Sequence, residues 1–201
     1  MAKHVDYYVS LNSPWTYLGS KRFEAIAQKH KADVTIWPVD FGSVFAVSGG
    51  LPLPKRAPQR QAYRMMELKR WRDHLGVKTT LEPRFFPANE VPAAKCVIAL
   101  REQRRMADAI KLAHAVLAAL WAEEKDTGDP ATLHAIIADC GIDADALIMA
   151  SQALEIAGKR EAYTTHAIDQ GVFGAPSFVI DGEIFWGQDR LDFVDRKLSG
   201  Q

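Results

Sequence analysis

Cysteine is scarce in this sequence, and the two that occur, Cys96 and Cys140, lie far apart in separate helical stretches. They lack the short spacing that zinc ligands share. The six histidines are also scattered, and they form no pair at the four-residue spacing that holds zinc on a helix. The sequence therefore predicts two free thiols that are buried or half-buried, and it predicts no metal site.

Long apolar runs and an excess of one charge are missing as well. No apolar stretch approaches the roughly 18 to 20 residues that are needed to cross a bilayer, and the start, Met1-Ala2-Lys3-His4, lacks the apolar core of a signal peptide. The 25 basic and 25 acidic side chains cancel, so we expect no strong field for nucleic acid or an anionic membrane. These absences predict a cytoplasmic protein that binds neither nucleic acid nor membranes.

The chain begins with segments in the order strand, helix, strand. Residues 5–9 and 34–39 are rich in β-branched and aromatic side chains, which favour strands. The segment between them, from Trp15 to about Lys29, has the apolar periodicity of a helix. This order favours two parallel strands that are joined by a right-handed crossover. A chain of 201 residues suits one domain with an insertion, or two small domains.

The middle of the chain is predicted to be mainly helical. Residues 40–58 contain three glycines and three prolines, which predict an extended loop. A helix is predicted from Gln59 to Leu75, with Gly76 as its stop. The irregular but apolar residues 77–91 follow, and we expect them to cover a cavity. Further helices are predicted at residues 92–105, 107–125, 129–141, 143–154 and 158–170.

The last forty residues return to strand character. Ser177–Ile180 and Glu183–Trp186 flank Asp181-Gly182, a favoured two-residue hairpin turn, and a final helix is predicted from Gly187 to Leu198. The whole order predicts an α/β fold with a thioredoxin-like layout, β-α-β followed by β-β-α, that carries a large all-helical insertion. Residues 1–40 plus 172–201 would form the thioredoxin-like domain, and residues 41–171 would form the helical insertion.

A tight polar turn opens the first helix. Asn12 or Ser13 can cap this helix, and Pro14 suits its first position. A hydroxyl at this point lies where unpaired backbone N–H groups and the positive end of the helix dipole converge. The turn is therefore predicted to stabilise an anion. A plain helix cap would use the same residues, so both roles stay open for Ser13.

Three blocks of residues resemble a known family: Ser13-Pro14-Trp15-Thr16-Tyr17-Leu18, Phe173-Gly174-Ala175-Pro176 and Phe185-Trp186-Gly187-Gln188-Asp189-Arg190-Leu191. They are similar to the 2-hydroxychromene-2-carboxylate isomerases, which belong with the kappa-class glutathione transferases in the DsbA-like branch of the thioredoxin fold. Disulfide-exchanging members of that branch carry Cys-Pro-x-Cys where this chain has Ser13-Pro14-Trp15-Thr16. Because exchange requires a thiolate, Ser13 and Thr16 cannot perform it.

The resemblance implies that the thiolate belongs to a bound glutathione. Ser13 would be the catalytic residue, donating a hydrogen bond to the sulfur, while the helix N-terminus lowers the thiol pKa from about 8.5. The other glutathione contacts that the resemblance implies are Trp15, Arg60 for the glycyl carboxylate, the Ala175 backbone beside a cis Pro176, the N–H groups of Gln188 and Asp189, the Asp189 carboxylate for the γ-glutamyl ammonium, and Arg190. Two alternatives stay open: Asp189 as a helix cap and Pro176 as an ordinary turn proline.

One loop departs from the family pattern. Many members read Gly-x-x-Phe-Lys-Ala-Thr-Gly-Asn after the second strand, whereas residues 42–50 of this chain read Gly-Ser-Val-Phe-Ala-Val-Ser-Gly-Gly. The lysine and the asparagine are replaced by Ala46 and Gly50, so the substrate carboxylate would need a cation from elsewhere. The candidate substrate contacts are Phe45, Lys55, Arg56, Arg84 and Asn89, with Trp15, Phe85 and Phe86 as further aromatic surface.

The resulting hypothesis is a glutathione-dependent isomerase. It would interconvert 2-hydroxychromene-2-carboxylate and trans-o-hydroxybenzylidenepyruvate, as in naphthalene breakdown, or act on a related intermediate of aromatic catabolism. The resemblance also implies a homodimer. Two alternatives remain: a kappa-class-like glutathione transferase that conjugates electrophiles, and a non-catalytic thioredoxin-like module that binds extended peptides against Ala175-Pro176.

Overall fold

A four-stranded sheet organises the computed structural model, which describes residues 3–200. Its order is β2-β1-β3-β4, and the strands are β1 (His4–Val9), β2 (Asp33–Pro38), β3 (Ser177–Ile180) and β4 (Glu183–Trp186). β1 runs parallel to β2 and antiparallel to β3, and β3 runs antiparallel to β4. The two ends of the chain therefore meet in the middle of one sheet, as the sequence predicted.

Helices fill the chain between and after the strands. α1 (Pro14–His30) connects β1 to β2. Eight helices separate β2 from β3: α2 (Phe41–Ser48), α3 (Pro58–Leu75), α4 (Val91–Glu102), α5 (Met106–Trp121), α6 (Pro130–Asp139), α7 (Ala144–Ser151), α8 (Leu154–Ala157) and α9 (Lys159–Asp169). A 3₁₀ turn (Gln188–Arg190) and α10 (Leu191–Ser199) follow β4. The division into two domains stays a prediction, and residues 1, 2 and 201 lie outside the described residues.

The prediction of an extended loop from residue 40 to residue 58 is wrong, because eight of these residues form α2. Asp40 caps this helix by accepting a hydrogen bond from the Gly42 N–H at 2.9 Å. Phe41 and Val44 are buried on its inner side, and Gly49 ends it with a φ of 76°. The glycines that suggested a loop stand in the first turn and beyond the last turn, so they mark the helix ends.

Other local predictions are confirmed. α3 ends at Gly76, the hairpin strands have the predicted bounds, and Asp129 caps α6 by accepting from the Thr132 N–H. Asp181 and Gly182 both have positive φ, as a type I′ turn requires. The last helix begins later than predicted, at Leu191, since Gln188–Arg190 form a 3₁₀ turn first.

The core has two parts. The larger part lies between the sheet and the central helices, and it includes the fully buried Tyr8, Phe23 and Phe178. The smaller part lies among α1, α3, α5 and the loop of residues 76–90, around the fully buried Trp121. This second core places α3 and the loop beside the start of α1.

Both cysteines are free and buried, as predicted. Burial raises the pKa of the Cys96 and Cys140 thiols above the ordinary value, so neither is a ready thiolate. Within residues 3–200, no group of three or more His, Cys, Asp or Glu side chains is arranged to hold a metal ion. The helices of the same residues are all too short or too polar to span a membrane.

Candidate active site

Of the two caps that the sequence offered, Asn12 and Ser13, it is Ser13 that caps α1. Its backbone is extended, and its Oγ accepts a hydrogen bond from the Thr16 N–H at 3.2 Å. Pro14 occupies the first helical position, where a backbone N–H would have no partner. The Ser13 hydroxyl is partly exposed, whereas the Thr16 side chain is fully buried. A ligand at this end of α1 therefore meets Ser13 and cannot reach the Thr16 hydroxyl.

The three sequence blocks that carry the resemblance meet at this turn. The Ser13 hydroxyl lies 3.5 Å from the Ala175 carbonyl oxygen, a long contact that leaves the hydroxyl proton free for a better acceptor. The Ala175-Pro176 bond is cis, and the Pro176 carbonyl accepts from the Gly187 N–H at 2.9 Å. The N-terminus of α1, Pro176 and the turn after β4 therefore lie next to one another and form the candidate site.

The turn after β4 is fastened to α1 by Arg22, whose guanidinium donates to the side-chain oxygen of Gln188 at 2.6 Å and to its carbonyl at 3.2 Å. The Gln188 side chain is buried and structural. Asp189 is exposed, and its carboxylate lies 2.9 Å from the guanidinium of Arg190. A Cβ on Gly187 would lie 2.3 Å from the Asp189 carboxylate, so that carboxylate folds back over the glycine.

Residues Ala88 and Glu90 form hydrogen bonds with the turn of residues 10–13, and the sequence did not predict these contacts. The Asn12 side chain donates to the Ala88 carbonyl at 2.9 Å and accepts from the Ala88 N–H at 3.0 Å. Glu90 accepts from the Ser10 hydroxyl at 2.8 Å and from the Asn12 N–H at 3.0 Å. Residues separated by more than seventy positions carry no local signal for such pairs.

The remaining predicted contacts are spread over three places. Trp15 packs partly buried against the second core, and Arg60 is exposed in the first turn of α3. Phe45 packs against Phe41 and against the Gly50 backbone, and Lys55 is exposed. Among residues 3–200, neither Phe45 nor Lys55 makes a hydrogen bond, an ion pair or an aromatic ring contact with the turn that holds Ser13.

A cavity of about 370 Å³ lies along the loop before α4. Arg84, Phe86 and Asn89 line it, and the guanidinium of Arg84 stands 5.1 Å from the ring centroid of Phe85. The bonds between Asn12 and Ala88 join this loop to the turn before Ser13. Of the predicted substrate contacts, the structure thus brings together Arg84, Phe85, Phe86 and Asn89.

The site around Ser13 is suited to bind an anion, and it has no thiol of its own. The 17-residue α1 directs its N-terminus at the Ser13 turn, and no acidic residue stands in its first turn. The backbone N–H of Ala175 has no acceptor within the described part of the chain. The site thus offers a hydroxyl, a helix N-terminus and an open backbone donor to an extended ligand.

Comparisons with known proteins agree with the three sequence blocks. The 2-hydroxychromene-2-carboxylate isomerase of Sphingobium xenophagum is 28% identical over 200 residues, covering 98% of this chain and 99% of its own length. The protein of the same name from Pseudomonas putida is 29% identical over 200 residues, covering 97% and 94%. The resemblance that the sequence indicated is confirmed over the whole chain.

Solved structures show the same fold. A 2-hydroxychromene-2-carboxylate isomerase superposes with a TM-score of 0.82 at 23% identity, covering 98% of this chain and 94% of the other. The cytosolic disulfide reductase DsbM from Pseudomonas aeruginosa with GSH superposes with a TM-score of 0.66 at 16% identity, covering 98% and 99%. The predicted thioredoxin-like fold is confirmed. A family model described as DSBA-like thioredoxin domain matches residues 4–199, and the chain belongs to that family.

Proposed function

We propose that this protein is a glutathione-dependent isomerase that interconverts 2-hydroxychromene-2-carboxylate and trans-o-hydroxybenzylidenepyruvate, or converts a related intermediate of aromatic catabolism. The observation that carries the proposal is the Ser13 hydroxyl at the N-terminus of α1, beside cis-Pro176, where disulfide-exchanging relatives have a thiol. Full-length similarity to proteins named 2-hydroxychromene-2-carboxylate isomerase supports this reaction. The structural likeness to a disulfide reductase solved with GSH supports glutathione as the ligand.

The residues present fit a tripeptide with one thiol, one ammonium and two carboxylates. Ser13 would face the thiol, and the open N–H and the carbonyl of Ala175 would pair with the ligand backbone. The exposed Asp189 carboxylate suits the ammonium, and the exposed Arg60 guanidinium suits the glycyl carboxylate. These four groups come from both ends of the chain and from α3.

Bound glutathione would supply a thiolate that adds reversibly to a conjugated double bond and is released unchanged. Ser13 would donate its hydroxyl proton in a hydrogen bond to the sulfur, while its oxygen still accepts the hydrogen bond from the Thr16 N–H. The dipole of α1 favours the anion and lowers the thiol pKa. The loop of residues 84–89 carries Phe85 and Phe86, which would offer an aromatic surface to the substrate.

The first test is isothermal titration with glutathione. We expect binding at millimolar ligand or tighter, and its absence would contradict the isomerase and leave the peptide-binding alternative. Product analysis comes second. An isomerase leaves the glutathione pool undiminished, whereas a glutathione transferase consumes one glutathione for each product.

Two further properties stay predictions. The sequence predicts a cytoplasmic protein, and the family resemblance alone predicts a homodimer. Sedimentation of the purified protein would test the dimer. The small aromatic carboxylate that we propose as substrate follows from the names of the relatives.

A further inference from the structure

Arg56, Arg60 and Arg64 follow one another at four-residue spacing around the start of α3. Burial and the neighbouring Arg60 lower the pKa of Arg56 below its ordinary value. Like charges one helical turn apart destabilise a helix, so folding alone does not favour this arrangement. An arrangement of this kind suits the binding of anions.

Arg64 is the most buried of the three. Its guanidinium carbon stands 5.4 Å from the ring centroid of Phe86 and 6.0 Å from that of Trp121. Its single hydrogen-bond contact within residues 3–200 is the weak acceptor Met65 Sδ at 3.6 Å, and no carboxylate of those residues lies within ion-pair distance. Burial and the nearby Arg56 lower the pKa of Arg64 to about 10, which leaves it charged at neutral pH.

The contacts of Arg64 place it beside the Ser13 turn. Trp121, under its guanidinium, donates its indole N–H to the Asn12 carbonyl at 3.3 Å. Asn12 in turn binds the Ala88 backbone in the loop that carries Phe86. Arg64, which has no carboxylate partner within residues 3–200, is thus joined to the turn that holds Ser13 through Trp121 and Asn12, with Phe86 beside it.

Building on the proposed function, we propose that Arg64 binds the carboxylate of the aromatic substrate while Phe86 supplies the adjoining aromatic surface. A planar guanidinium can hold a carboxylate through two parallel hydrogen bonds, and its partial burial strengthens them. Of the three cations predicted from the sequence, Lys55 and Arg84 are exposed, so water weakens any bond they form. The third, Arg56, already donates to the Leu51 carbonyl at 2.8 Å. Arg60, also exposed, remains for the glycyl carboxylate of glutathione.

The test uses unreactive probes, naphthalene-2-carboxylate and its neutral amide, naphthalene-2-carboxamide. Both are titrated calorimetrically into the full-length protein that has been saturated with glutathione. The wild type is expected to prefer the carboxylate. Arg64→Gln should weaken carboxylate binding about 10- to 100-fold and leave amide binding unchanged. Arg64→Lys should bind the carboxylate with an affinity between those of the wild type and Arg64→Gln, because lysine keeps the charge and loses the planar guanidinium.

Lys69→Gln is the control, since it removes an exposed cation from the same helix, and it should keep the preference for the carboxylate. Equal binding of the two probes by the wild type would overturn the proposal, and so would an unchanged preference in Arg64→Gln. Arg64→Gln should also melt within a few degrees of the wild type, because it removes a cation that has no counter-ion among residues 3–200. A large fall in its melting temperature would make Arg64 a structural residue instead.

Failure of the isomerase reaction gives a different pattern. The wild type could bind the carboxylate probe more tightly than the amide, with the preference lost in Arg64→Gln, and yet fail to isomerise the chromene. That result would support the carboxylate site at Arg64 and contradict the proposed reaction. If the wild type isomerises and Arg64→Gln raises neither KM nor the dissociation constant of the probe, the reaction stands and the role of Arg64 falls.

Discussion

Glu90 and Arg160 form an ion pair at 2.7 Å in which their side chains are 15% and 17% exposed. The second oxygen of the Glu90 carboxylate accepts from the Ser10 hydroxyl and from the Asn12 N–H. A pair of residues from α9 and the start of α4 therefore fixes the turn that presents Ser13. The helices between β2 and β3 support the candidate active site from below.

Replacing only one residue of the Glu90–Arg160 pair should lower the free energy of unfolding more than replacing both. Arg160→Met leaves the Glu90 carboxylate without a counter-ion, and we expect the free energy of unfolding to fall by about 2 to 3 kcal/mol. Adding Glu90→Gln to that variant should restore part of the loss, because no unpaired charge then remains. Urea unfolding of the two single variants and the double variant measures this coupling. Additive losses would mean that the two side chains act independently.

Two substitutions at Ser13 separate its two roles. Ser13→Ala removes the cap and should destabilise the protein by about 1 kcal/mol, whereas Ser13→Gly should cost a few tenths because glycine is a tolerated cap. Both remove the hydroxyl, so both should raise the pKa of bound glutathione, as read from its ultraviolet thiolate absorbance. Affinity for glutathione should change little at a pH low enough to keep the bound thiol protonated, and should fall at higher pH, where the wild type binds the thiolate. An unaltered thiolate fraction in both variants would leave Ser13 as a cap alone.

The order of strands, the hairpin turn and the caps at Ser13 and Asp129 follow from local rules, and the structure has them as predicted. α2 was missed because composition alone does not separate glycines inside a segment from glycines at its ends. Asp40 followed by the apolar Phe41 and Val44 was the signal for this helix, since an aspartate before an apolar turn is a cap.

The candidate site was predictable where it consists of contiguous motifs and unpredictable where it consists of long-range pairs. Asn12 stands next to Ser13 and was considered only as a cap, yet its side chain binds the Ala88 backbone. Glu90 and Arg64 come near the turn through tertiary packing, which leaves no trace in local periodicity. The sequence predicted Lys55 as a substrate cation on proximity in the chain alone, and in the structure its side chain is exposed.

Gly187 offers a test of the turn that carries Asp189. Its φ is 105°, and an added Cβ would lie 2.3 Å from the Asp189 carboxylate. Gly187→Ala should therefore strain the backbone and displace that carboxylate, lowering the affinity for glutathione about tenfold or more. Gly182→Ala is the control, since Gly182 has a φ of 79° and nothing within 4 Å of its added Cβ. It should reduce stability and leave glutathione affinity intact, as titration calorimetry would show.

His114 is expected to make the free energy of unfolding depend on pH. Burial first, and then the charge of Lys21, lowers its pKa from 6.5 to about 4, and its Nδ1 lies 2.6 Å from the Ser20 hydroxyl. The unfolded chain therefore binds more protons than the folded chain between pH 4 and pH 6.5, so stability falls as the pH falls through this window. Because the ring is partly exposed, we expect a loss of about 1 to 2 kcal/mol.

His4 provides a control of opposite sign. Burial lowers its pKa, but the hydrogen bonds and charges of Asp33 and Asp6 outweigh that effect and raise it above 6.5. Its contribution is therefore present below pH 6.5 and is lost as the pH rises through the folded value. Urea unfolding across pH 4.5 to 8 should show a flatter acid limb for His114→Gln and a steeper one for His4→Gln. Parallel curves for the wild type and His114→Gln would mean that His114 titrates normally and is not held neutral by its surroundings.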